Sequence, residues 1–551
     1  MPLQLKPTQL VQRRRDNGSL RRVSPVPPAH HLRRAPRAAL RREAAIQEGP
    51  SQRRRPPPAA SVPVVGPLLW LLRARNRLEP AIRELHRRHG AVLTLRFLSP
   101  RPAIFVSGRG ATHRALVQRG PAFASRPPAI APFRVLNSGQ RTVSSAPYGA
   151  LWRSLRRNLT TGVLNPSRIQ LFAPARRRAV AALVSDLRRR SEEGGGGEVP
   201  VVECLQRAMF SLLACMCFGR SLRGRRVGEI EAVQRELFAS YIGFQVFAFC
   251  PAVTKLVFRR WWEKVLSIRR RQEELFLPLI RSRRDGRDSS TMHGNGEHDE
   301  HNDETLPYCY IDTLLAHRLP KEEGERALTD AEMVSLCTEF LTASVDTTVT
   351  ALQWIMANLV RQPEVQVKLV NEINAVAAPA GDGDDEGIAE EDLRRMPYLK
   401  AVVLEGLRRH PPAHFLLSHA AVEETSLDGH RVPVATPVNF SVADVSLDED
   451  VWDRPEEFRP ERFLEGGEGA GVDLTGSREI RMMPFGVGRR ICPGMGLALL
   501  HLEYFVASMV REFEWAAVAG VDLAERPEFT VTMERPLRAR VRRSRRKAVT
   551  I

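Results

Sequence analysis

A single cysteine lies in the glycine-rich stretch PFGVGRRICPGMG, residues 484–496, just before an apolar run that predicts a helix. A structural zinc site or a redox pair normally brings a second cysteine two residues away, whereas the nearest other cysteine is Cys337. A thiolate at a helix start is stabilised by free backbone N–H groups and by the helix dipole. The glycines allow a tight turn and a close approach to a flat partner such as a heme. The stretch therefore predicts that Cys492 binds a metal; a buried structural thiol is the alternative.

Five positions of this stretch form the pattern F-x-x-G-x-R-x-C-x-G, namely Phe485, Gly488, Arg490, Cys492 and Gly494. A dinucleotide-binding loop is excluded, because Ile491 stands where that loop requires a third glycine. The pattern resembles the heme-thiolate signature of the cytochrome P-450 family. The resemblance, which extends over residues 60–545, implies heme b (iron protoporphyrin IX) as the cofactor. It also implies that Cys492 is the axial iron ligand and that Phe485 and Arg490 contact the heme.

Other stretches resemble the parts of the family that hold the heme propionates. PYGALWRSLRRN contains Trp152 and Arg156, which match the family's W-x-x-x-R helix. Taken alone, this stretch predicts only an amphipathic surface helix with one buried tryptophan. Arg490 and His419 stand where the family places further propionate partners. Arginine suits that role because its planar guanidinium matches a carboxylate.

A charged pair is predicted on the helix that contains LEGLRRHPPAHFLLSH. Glu405 and Arg408 are three residues apart and can pair on one helical face; in isolation this is usually a solvated ion pair. The pair resembles the family's E-x-x-R motif, and PERF at 460–463 supplies Arg462. The resemblance implies a structural cluster of these three side chains that braces the cysteine loop.

The stretch EFLTASVDTTVTALQW places several hydroxyl groups in a predicted helix, where they compete for backbone carbonyls and are expected to loosen it. It resembles the family's oxygen-binding motif A-G-x-D-T-T, with Ser344 in place of the glycine. The resemblance implies that Asp346 and Thr347 are catalytic and deliver protons during oxygen activation. The alternative is that both are polar residues satisfied within the helix.

The surrounding pattern predicts a mainly α protein with a minor β component. AVLTLRF and PAIFVSG are short, apolar and rich in β-branched residues, which predicts a pair of strands. Helical patterns dominate afterwards, at 150–163, 170–190, 201–217, 229–240, 260–283, 329–361, 363–376, 391–409 and 494–512. With the resemblance, this predicts the cytochrome P-450 fold in a single large heme-thiolate domain, residues 61–551.

The charge is concentrated at the start of the chain. The sequence has a net charge of +20, and residues 1–60 hold 14 basic and 3 acidic side chains, a net +11. This segment, which ends in a proline-rich connector, is interpreted as a disordered basic tail; a transit peptide is the alternative. A basic nucleic-acid-binding or scaffold protein is the rival function. It is disfavoured because no recognition motif or aromatic stacking platform is present, so we expect no nucleic-acid partner.

The sequence contains no run of 18 or more apolar residues, so no transmembrane helix is predicted. The seven cysteines are an odd number and several lie in apolar runs, which favours a reducing, cytosol-facing environment. The resemblance implies membrane association at the cytosolic face of the endoplasmic reticulum, with an organellar location as the alternative.

The details most resemble the plant A-type microsomal enzymes, family eighty-nine, subfamily A. That resemblance implies a monooxygenase of plant secondary metabolism, which inserts one atom of O2 into a lipophilic small molecule. Electrons would come from NADPH through NADPH-cytochrome P-450 reductase. Family members that only rearrange hydroperoxides typically lack the acid–alcohol pair and have an altered cysteine loop. Asp346, Thr347 and the uninterrupted loop argue against that subgroup.

Overall fold

Helices supply most of the structure in the computed structural model, which describes residues 78–95, 102–193, 197–219, 225–248, 250–292, 308–377 and 388–544. These residues all belong to one compact unit, residues 53–551. The predicted basic segment 1–60 and its proline-rich connector lie outside the described residues.

The α-helices vary from single turns to a rod of 34 residues. In chain order they are α1 Leu78–His89, α2 Arg109–His113, α3 Ala131–Leu136, α4 Ala150–Gly162, α5 Pro166–Leu171, α6 Ala173–Glu193, α7 Val201–Phe218, α8 Arg225–Tyr241, α9 Pro251–Val257, α10 Arg259–Met292, α11 Tyr310–Ala316, α12 Asp330–Arg361, α13 Pro363–Val376, α14 Pro397–Arg409, α15 Val442–Ser446 and α16 Met495–Glu512. A π-helical turn, Arg114–Gln118, continues directly from α2.

The strands form small sheets rather than a central one. They are β1 Val92–Leu95, β2 Ala103–Val106, β3 Glu198–Pro200, β4 His419–Ala420, β5 Thr425–Leu427, β6 His430–Val432, β7 Pro437–Phe440, β8 Phe513–Ala517, β9 Glu525–Pro527, β10 Val531–Met533 and β11 Arg538–Arg543. A four-stranded sheet has the order β1-β2-β7-β4, in which β2 and β7 are parallel and the other neighbours antiparallel. Strands β3, β11 and β8 form an antiparallel sheet, and β5–β6 and β9–β10 form two-stranded ones.

Helix α12 runs through the middle of the main core. It begins with a capping box, in which Thr329 and Glu332 each accept a hydrogen bond from the other's backbone N–H. Its C-terminal half is buried almost without interruption, and Trp354 donates its indole N–H to Val531 on β10 at 2.8 Å. A helix that is apolar on most sides needs neighbours all round, and the surrounding helices supply them. Because α12 is packed on most sides, the residues of the oxygen motif, such as Asp346 and Thr347, lie on a helix that is held in place.

The predicted helices are largely confirmed, and two of the errors occur at prolines. The predicted helix 170–190 is two helices, because Pro174 cannot continue α5 but fits the first turn of α6. The predicted helix 391–409 begins instead at Pro397, after a separate 3-10 turn, Asp392–Arg395. The two predicted strands pair antiparallel as β1 and β2.

Helix α7 is long and apolar enough to cross a membrane when only length and composition are considered. However, 72% of its apolar window is buried inside the protein, and Glu203 and Arg207 interrupt the apolar run. Its large side chains belong to the main hydrophobic core. The helix is therefore accounted for by packing within the folded unit.

Candidate heme site

The cysteine loop is held by a glycine that no other residue could replace. Gly488 has a φ of +71°, and a Cβ there would overlap the backbone carbonyl of Leu116 in the π-helical turn. The loop closes through the N–H of Cys492, which donates to the carbonyl of Phe485 at 2.8 Å. Helix α16 begins at Met495, immediately after this turn. The predicted loop before an apolar helix is therefore present.

The Cys492 thiol is half-buried and belongs to no disulfide. Burial raises its pKa, while the backbone N–H of Gly494 and the charge of Arg156 act in the opposite direction and favour the thiolate. A metal ion bound to such a sulfur removes the proton outright. Without a metal, burial therefore favours the neutral thiol, and a bound metal ion would convert it to the thiolate.

A set of guanidinium groups lies beside this loop. Arg490 donates to the carbonyls of Ala124, Val143 and Ala146 at 2.7, 3.2 and 2.7 Å, and its guanidinium carbon lies 4.4 Å from the centre of the Trp152 ring. Burial, and then the nearby charges of two other arginines, lower the pKa of Arg490 to about 9. The hydrogen bonds to the backbone thus hold the positive charge of Arg490 close to two other arginines that repel it.

The side chains of Trp152 and Arg156 project from α4 with unsatisfied polar groups. Trp152 is 6% exposed, and its indole N–H is buried without a hydrogen-bond partner. The guanidinium of Arg156 is half-buried and forms no hydrogen bond or ion pair with the residues that the structure describes, and burial lowers its pKa. A buried unpaired donor such as the Trp152 indole costs about 1–3 kcal/mol. The described residues therefore leave the Trp152 N–H without an acceptor and the Arg156 charge without a carboxylate.

Arg126 joins this set and was not predicted from the sequence. It donates to the carbonyls of Ser144 and Leu417 at 2.7 and 2.6 Å. Burial lowers its pKa to about 10, while the charge of Glu339 acts in the opposite direction. A lone arginine in the irregular stretch FASRPP has no periodicity or motif spacing that could have marked it. Only the folded chain brings it to Arg490.

His419 lies in the same region, and its role as a propionate partner stays a prediction. It is 3% exposed, and its Nδ1 lies 2.8 Å from the carbonyl oxygen of Phe123. Burial, followed by the charges of Arg126 and Arg490, lowers the pKa of His419 to about 3. The imidazole is therefore neutral, with Nδ1–H donating to the carbonyl and Nε2 left as the acceptor.

These residues together fit a heme. Arg126, Arg156 and Arg490 form no ion pair with any carboxylate of the described residues, and Glu339 offsets part of their charge, so the region has a net positive charge. Two propionates would neutralise it, and the unpaired indole N–H of Trp152 supplies a further donor. The adjacent half-buried sulfur is a soft ligand suited to iron.

The oxygen-motif residues lie on an unbroken helix, which corrects the expected loosening. Helix α12 is regular from Asp330 to Arg361. The Thr347 hydroxyl donates to the carbonyl of Ala343 at 2.7 Å, and the Ser344 hydroxyl donates to that of Phe340 at 2.6 Å. Such i−4 bonds satisfy each hydroxyl along the helix without opening it, because neighbouring helices hold the backbone in place.

Asp346 lines a cavity of about 290 Å³. The cavity is also lined by Glu231 and Arg235 of α8 and by Glu528, whereas Thr347 does not line it. The Asp346 carboxyl has no hydrogen bond or ion pair among the described residues, and burial raises its pKa to about 7. Asp346 and Thr347 are therefore adjacent in sequence, but only Asp346 lines this cavity.

The predicted Glu405, Arg408 and Arg462 cluster is present and fully buried. Arg408 binds Glu405 through two bonds of 2.7 and 2.9 Å, and Arg462 reaches the same carboxylate at 3.2 Å. The remaining donors of Arg408 bind backbone carbonyls, including that of Ser446 at 2.8 Å. Such complete pairing makes a buried charge cluster tolerable.

The cluster reaches the cysteine loop only indirectly. Arg408 lies 5.3 Å from the centre of the Trp452 ring, and Trp452 donates its indole N–H to the carbonyl of Arg481 at 3.2 Å. Arg481 lies a few residues before the loop. The hydrogen bonds of the cluster itself end on segment 446–468. The charged cluster is therefore connected to the segment before the cysteine loop through Trp452.

Comparison with known proteins agrees with these features. The family model "Cytochrome P450" matches residues 56–541. Cytochrome P450 89A9 of Arabidopsis thaliana is 42% identical over 87% of this chain and 92% of its own length. Flavonoid 3'-monooxygenase of the same plant is 29% identical, over 72% of this chain and 74% of that protein. A zebra fish cytochrome P450 structure with progesterone superposes with a TM-score of 0.67 at 23% identity, covering 85% of this chain and all of that one.

The neighbouring structure establishes the predicted fold, and the relatives establish the class of enzyme. The similarity extends across nearly the whole described unit and includes plant monooxygenases. The rival interpretation as a nucleic-acid-binding protein has no support. The chain belongs to the cytochrome P450 family and is a heme-thiolate monooxygenase that uses heme b, receives electrons originating from NADPH through a redox partner, and acts on lipophilic compounds.

Proposed function

We propose that the sulfur of Cys492 would bind the heme iron and that Trp152, Arg156, Arg490 and His419 would bind the propionates, with Phe485 contacting the heme beside the sulfur. Arg126 is added to this set. The observation that carries the proposal is the group of unpaired cationic and N–H donors beside a half-buried thiol. When bound, a thiolate-ligated heme supplies the reductive activation of O2 and the transfer of one oxygen atom to the substrate.

His419 has a role that depends on its proton. With Nδ1–H directed at the carbonyl of Phe123, its Nε2 can donate to a propionate only if the ring is protonated. Burial and the charges of Arg126 and Arg490 disfavour that proton, and an adjacent carboxylate would favour it. We therefore assign His419 chiefly to fixing the loop at Phe123, with heme-linked protonation as its second role.

Asp346 and Thr347 are proposed to move protons for oxygen activation. The Thr347 hydroxyl donates its hydrogen to the carbonyl of Ala343, so its oxygen can still accept a hydrogen bond. Asp346, with a pKa of about 7, can accept and release a proton near neutral pH. The cavity beside it reaches Glu528, which is exposed, and so offers a route for protons from solvent.

The electron donor is proposed to be NADPH-cytochrome P-450 reductase, docked beside the cysteine loop. Arg153 and Arg489 are exposed and both lie close to Tyr148, with their guanidinium carbons 5.7 and 5.9 Å from its ring centre. Neither forms an ion pair with the described residues. An acidic partner surface would be attracted to this region and oriented by it.

The substrate is proposed to be a lipophilic compound of plant secondary metabolism. Relatives named for their reactions include an indolin-2-one monooxygenase of Zea mays, 29% identical over 86% of this chain and 86% of that protein, and the flavonoid enzyme above. Aromatic rings cluster near the heme side: Tyr241 lies 4.6 Å from Phe133 and 4.9 Å from Phe529, centre to centre. Tyr241 also interacts electrostatically with Arg126, so this apolar wall lies near the propionate region.

We further propose that the enzyme associates with the endoplasmic reticulum membrane at its cytosolic face. Residues 61–551 are assigned to the heme-thiolate domain and residues 1–60 to a separate basic segment. The proposed function is tested with purified full-length protein, NADPH and purified NADPH-cytochrome P-450 reductase under isotopically heavy O2. One heavy oxygen atom in the product of a lipophilic substrate is expected. Failure of the reductase to reduce the heme, or a product without the label, would contradict the proposal.

A further inference from the structure

Gln234, on α8, is a buried residue whose amide group is only half used. It is 6% exposed, and its Oε1 accepts a hydrogen bond from the Thr342 hydroxyl of α12 at 2.9 Å. Its Nε2 is buried and forms no hydrogen bond with the residues that the structure describes. Native proteins normally satisfy such a buried donor with a protein acceptor or with an ordered water.

A second buried glutamine shows the contrast. The Nε2 of Gln366 donates to the carbonyls of Leu359 and Trp515 at 3.3 and 3.1 Å, and its Oε1 accepts from the N–H of Trp515 at 2.9 Å. Both ends of this amide connect α13 to the neighbouring backbone, which is a purely structural use. Gln234 is equally buried, but its N–H2 group makes no such connection within the described residues.

The cavity beside Asp346 brings this amide to the proposed proton path. Gln234, Thr342 and Asp346 all line it. Thr342 and Asp346 are four residues apart on α12, so their side chains lie on one face of the helix with about 5–6 Å between Cβ atoms. Because Thr342 holds the amide of Gln234, the N–H2 group lies about one helical turn from the Asp346 carboxyl.

The cavity suits ordered water. Its volume of about 290 Å³ is enough for several water molecules, and the exposed residues Arg235 and Glu528 line its side toward solvent. Other polar groups of the lining are paired with one another, such as Arg235 with Glu231. A buried water needs at least two polar partners. The amide of Gln234 and the carboxyl of Asp346 supply one donor and one acceptor.

We propose that Gln234 is a positioning residue for proton delivery, whose Nε2–H donates to a water that in turn donates to the Asp346 carboxylate. Each proton that Asp346 passes on is replaced by this water, which takes up a proton from the neighbouring solvent as it gives one to Asp346. The Thr342 hydroxyl keeps the amide in this orientation. The inference rests on the proposed role of Asp346 and adds a residue that lies outside the oxygen motif, on a different helix.

The first test is a high-resolution crystal structure of the full-length holoenzyme in its ferric state. One water is expected within hydrogen-bond distance of both Gln234 Nε2 and a carboxylate oxygen of Asp346. A Gln234 Nε2 that is bound to a protein group, or that has no water beside it, would overturn the inference whatever the activity of the enzyme.

The second test compares the wild type with Gln234→Leu in H2O and in D2O. NADPH consumption is measured with NADPH-cytochrome P-450 reductase and a lipophilic substrate that the wild type converts. The variant is expected to slow consumption by about three- to tenfold, the factor that corresponds to one hydrogen bond. The solvent isotope effect should increase, because proton delivery then limits the rate more strongly.

The matched control is Gln366→Leu, which removes a buried glutamine with a structural use. It should lower the midpoint of urea unfolding without changing the isotope effect. If Gln234→Leu behaves in the same way, with lower stability and an unchanged isotope effect, Gln234 only connects α8 to α12 and the inference is wrong. Heme content, from the absorption spectrum, is used to match the active enzyme concentration of all variants.

Asp346→Asn separates this inference from the proposed function on which it rests. A larger isotope effect in both Asp346→Asn and Gln234→Leu is the expected result. If only Asp346→Asn shows it, the role of Asp346 stands and that of Gln234 is wrong. If neither variant shows it, both assignments are wrong.

Discussion

The Arg490 guanidinium lies 4.4 Å from the centre of the Trp152 ring, while the indole N–H of the same tryptophan has no partner. The ring therefore supports one cation of the site, and its N–H is free to bind a ligand. This pairing explains why a tryptophan, rather than another large apolar residue, occupies α4 at this point. It also separates two functions that mutation can test independently.

Trp152→Phe retains an aromatic face for Arg490 and removes only the free N–H. We expect heme to dissociate roughly tenfold faster, because a hydrogen bond to a charged group contributes about 1.5–3 kcal/mol. Heme transfer to apomyoglobin measures this rate. Trp515→Phe is the control, since that buried indole donates to Met509 within the core. Equal rates in the wild type and Trp152→Phe would remove Trp152 from the propionate set.

Arg408→Ala strands the buried Glu405 carboxylate, although Arg462 retains one contact with it. The expected loss of folding free energy is about 3–5 kcal/mol, with lower heme content in the purified protein. Urea denaturation and the absorption spectrum measure the two effects. Glu424→Gln breaks the exposed pair with Arg431 and is expected to leave both unchanged. A stable, heme-replete Arg408→Ala protein would reduce the cluster to an ordinary ion pair.

Thr347→Ala is expected to retain heme and accept electrons but to divert NADPH consumption toward hydrogen peroxide. Positioned proton transfer typically contributes about 10²–10⁴-fold, so coupling should fall visibly when the accepting oxygen of Thr347 is removed. Ser344 lies three residues away on the same helical face and can replace part of the lost function. The double variant Thr347→Ala, Ser344→Gly should therefore leak more peroxide than the single one.

The control for this series is Ser508→Ala, on α16, whose hydroxyl donates to the carbonyl of Tyr504 at 2.7 Å, an i−4 bond like that of Thr347. It should couple like the wild type. Unchanged peroxide leakage in both Thr347 variants would exclude Thr347 from proton delivery and leave the heme assignment untouched.

Asp346 gives the folding free energy a pH dependence with a defined sign. Its pKa is raised from 3.8 to about 7 by burial, so the folded state holds this proton more tightly than the unfolded state. The contribution of Asp346 to stability is thus greatest at low pH and is lost as pH rises from about 4 to about 7. Asp346→Asn, which cannot ionise, should gain stability over the wild type on passing from acid to neutral pH. A pH-independent difference in urea unfolding would mean that the carboxylate is solvated.

The sequence predicted the positions whose chemistry is local. The cysteine turn, the E-x-x-R pair and the helix 363–376 all depend on residues close together in the chain, and the structure places them as expected. Arg126 was missed because its importance arises from the charges of Arg156 and Arg490, which are distant in sequence. The regularity of α12 was missed because hydroxyl groups lower helix propensity, but tertiary packing outweighs it.

The direction of Asp346 could not have been predicted either. On an ideal helix adjacent residues are separated by about 100°, but which side of the helix faces which neighbour is set by the packing of α8 and the β9–β10 region. Likewise, the brace from Arg408 to the cysteine loop passes through Trp452, a contact that no spacing in the sequence indicates.

The ligation of heme by Cys492 is tested most directly by the ferrous–CO difference spectrum of Cys492→Ser, compared with the wild type at matched heme content. The wild-type protein should show the strongly red-shifted band of thiolate ligation. The serine variant, in which a hydroxyl replaces the half-buried sulfur, should lose that band even where heme remains bound. A Cys492→Ser protein that retains the red-shifted band would contradict the assignment of this sulfur as the heme ligand.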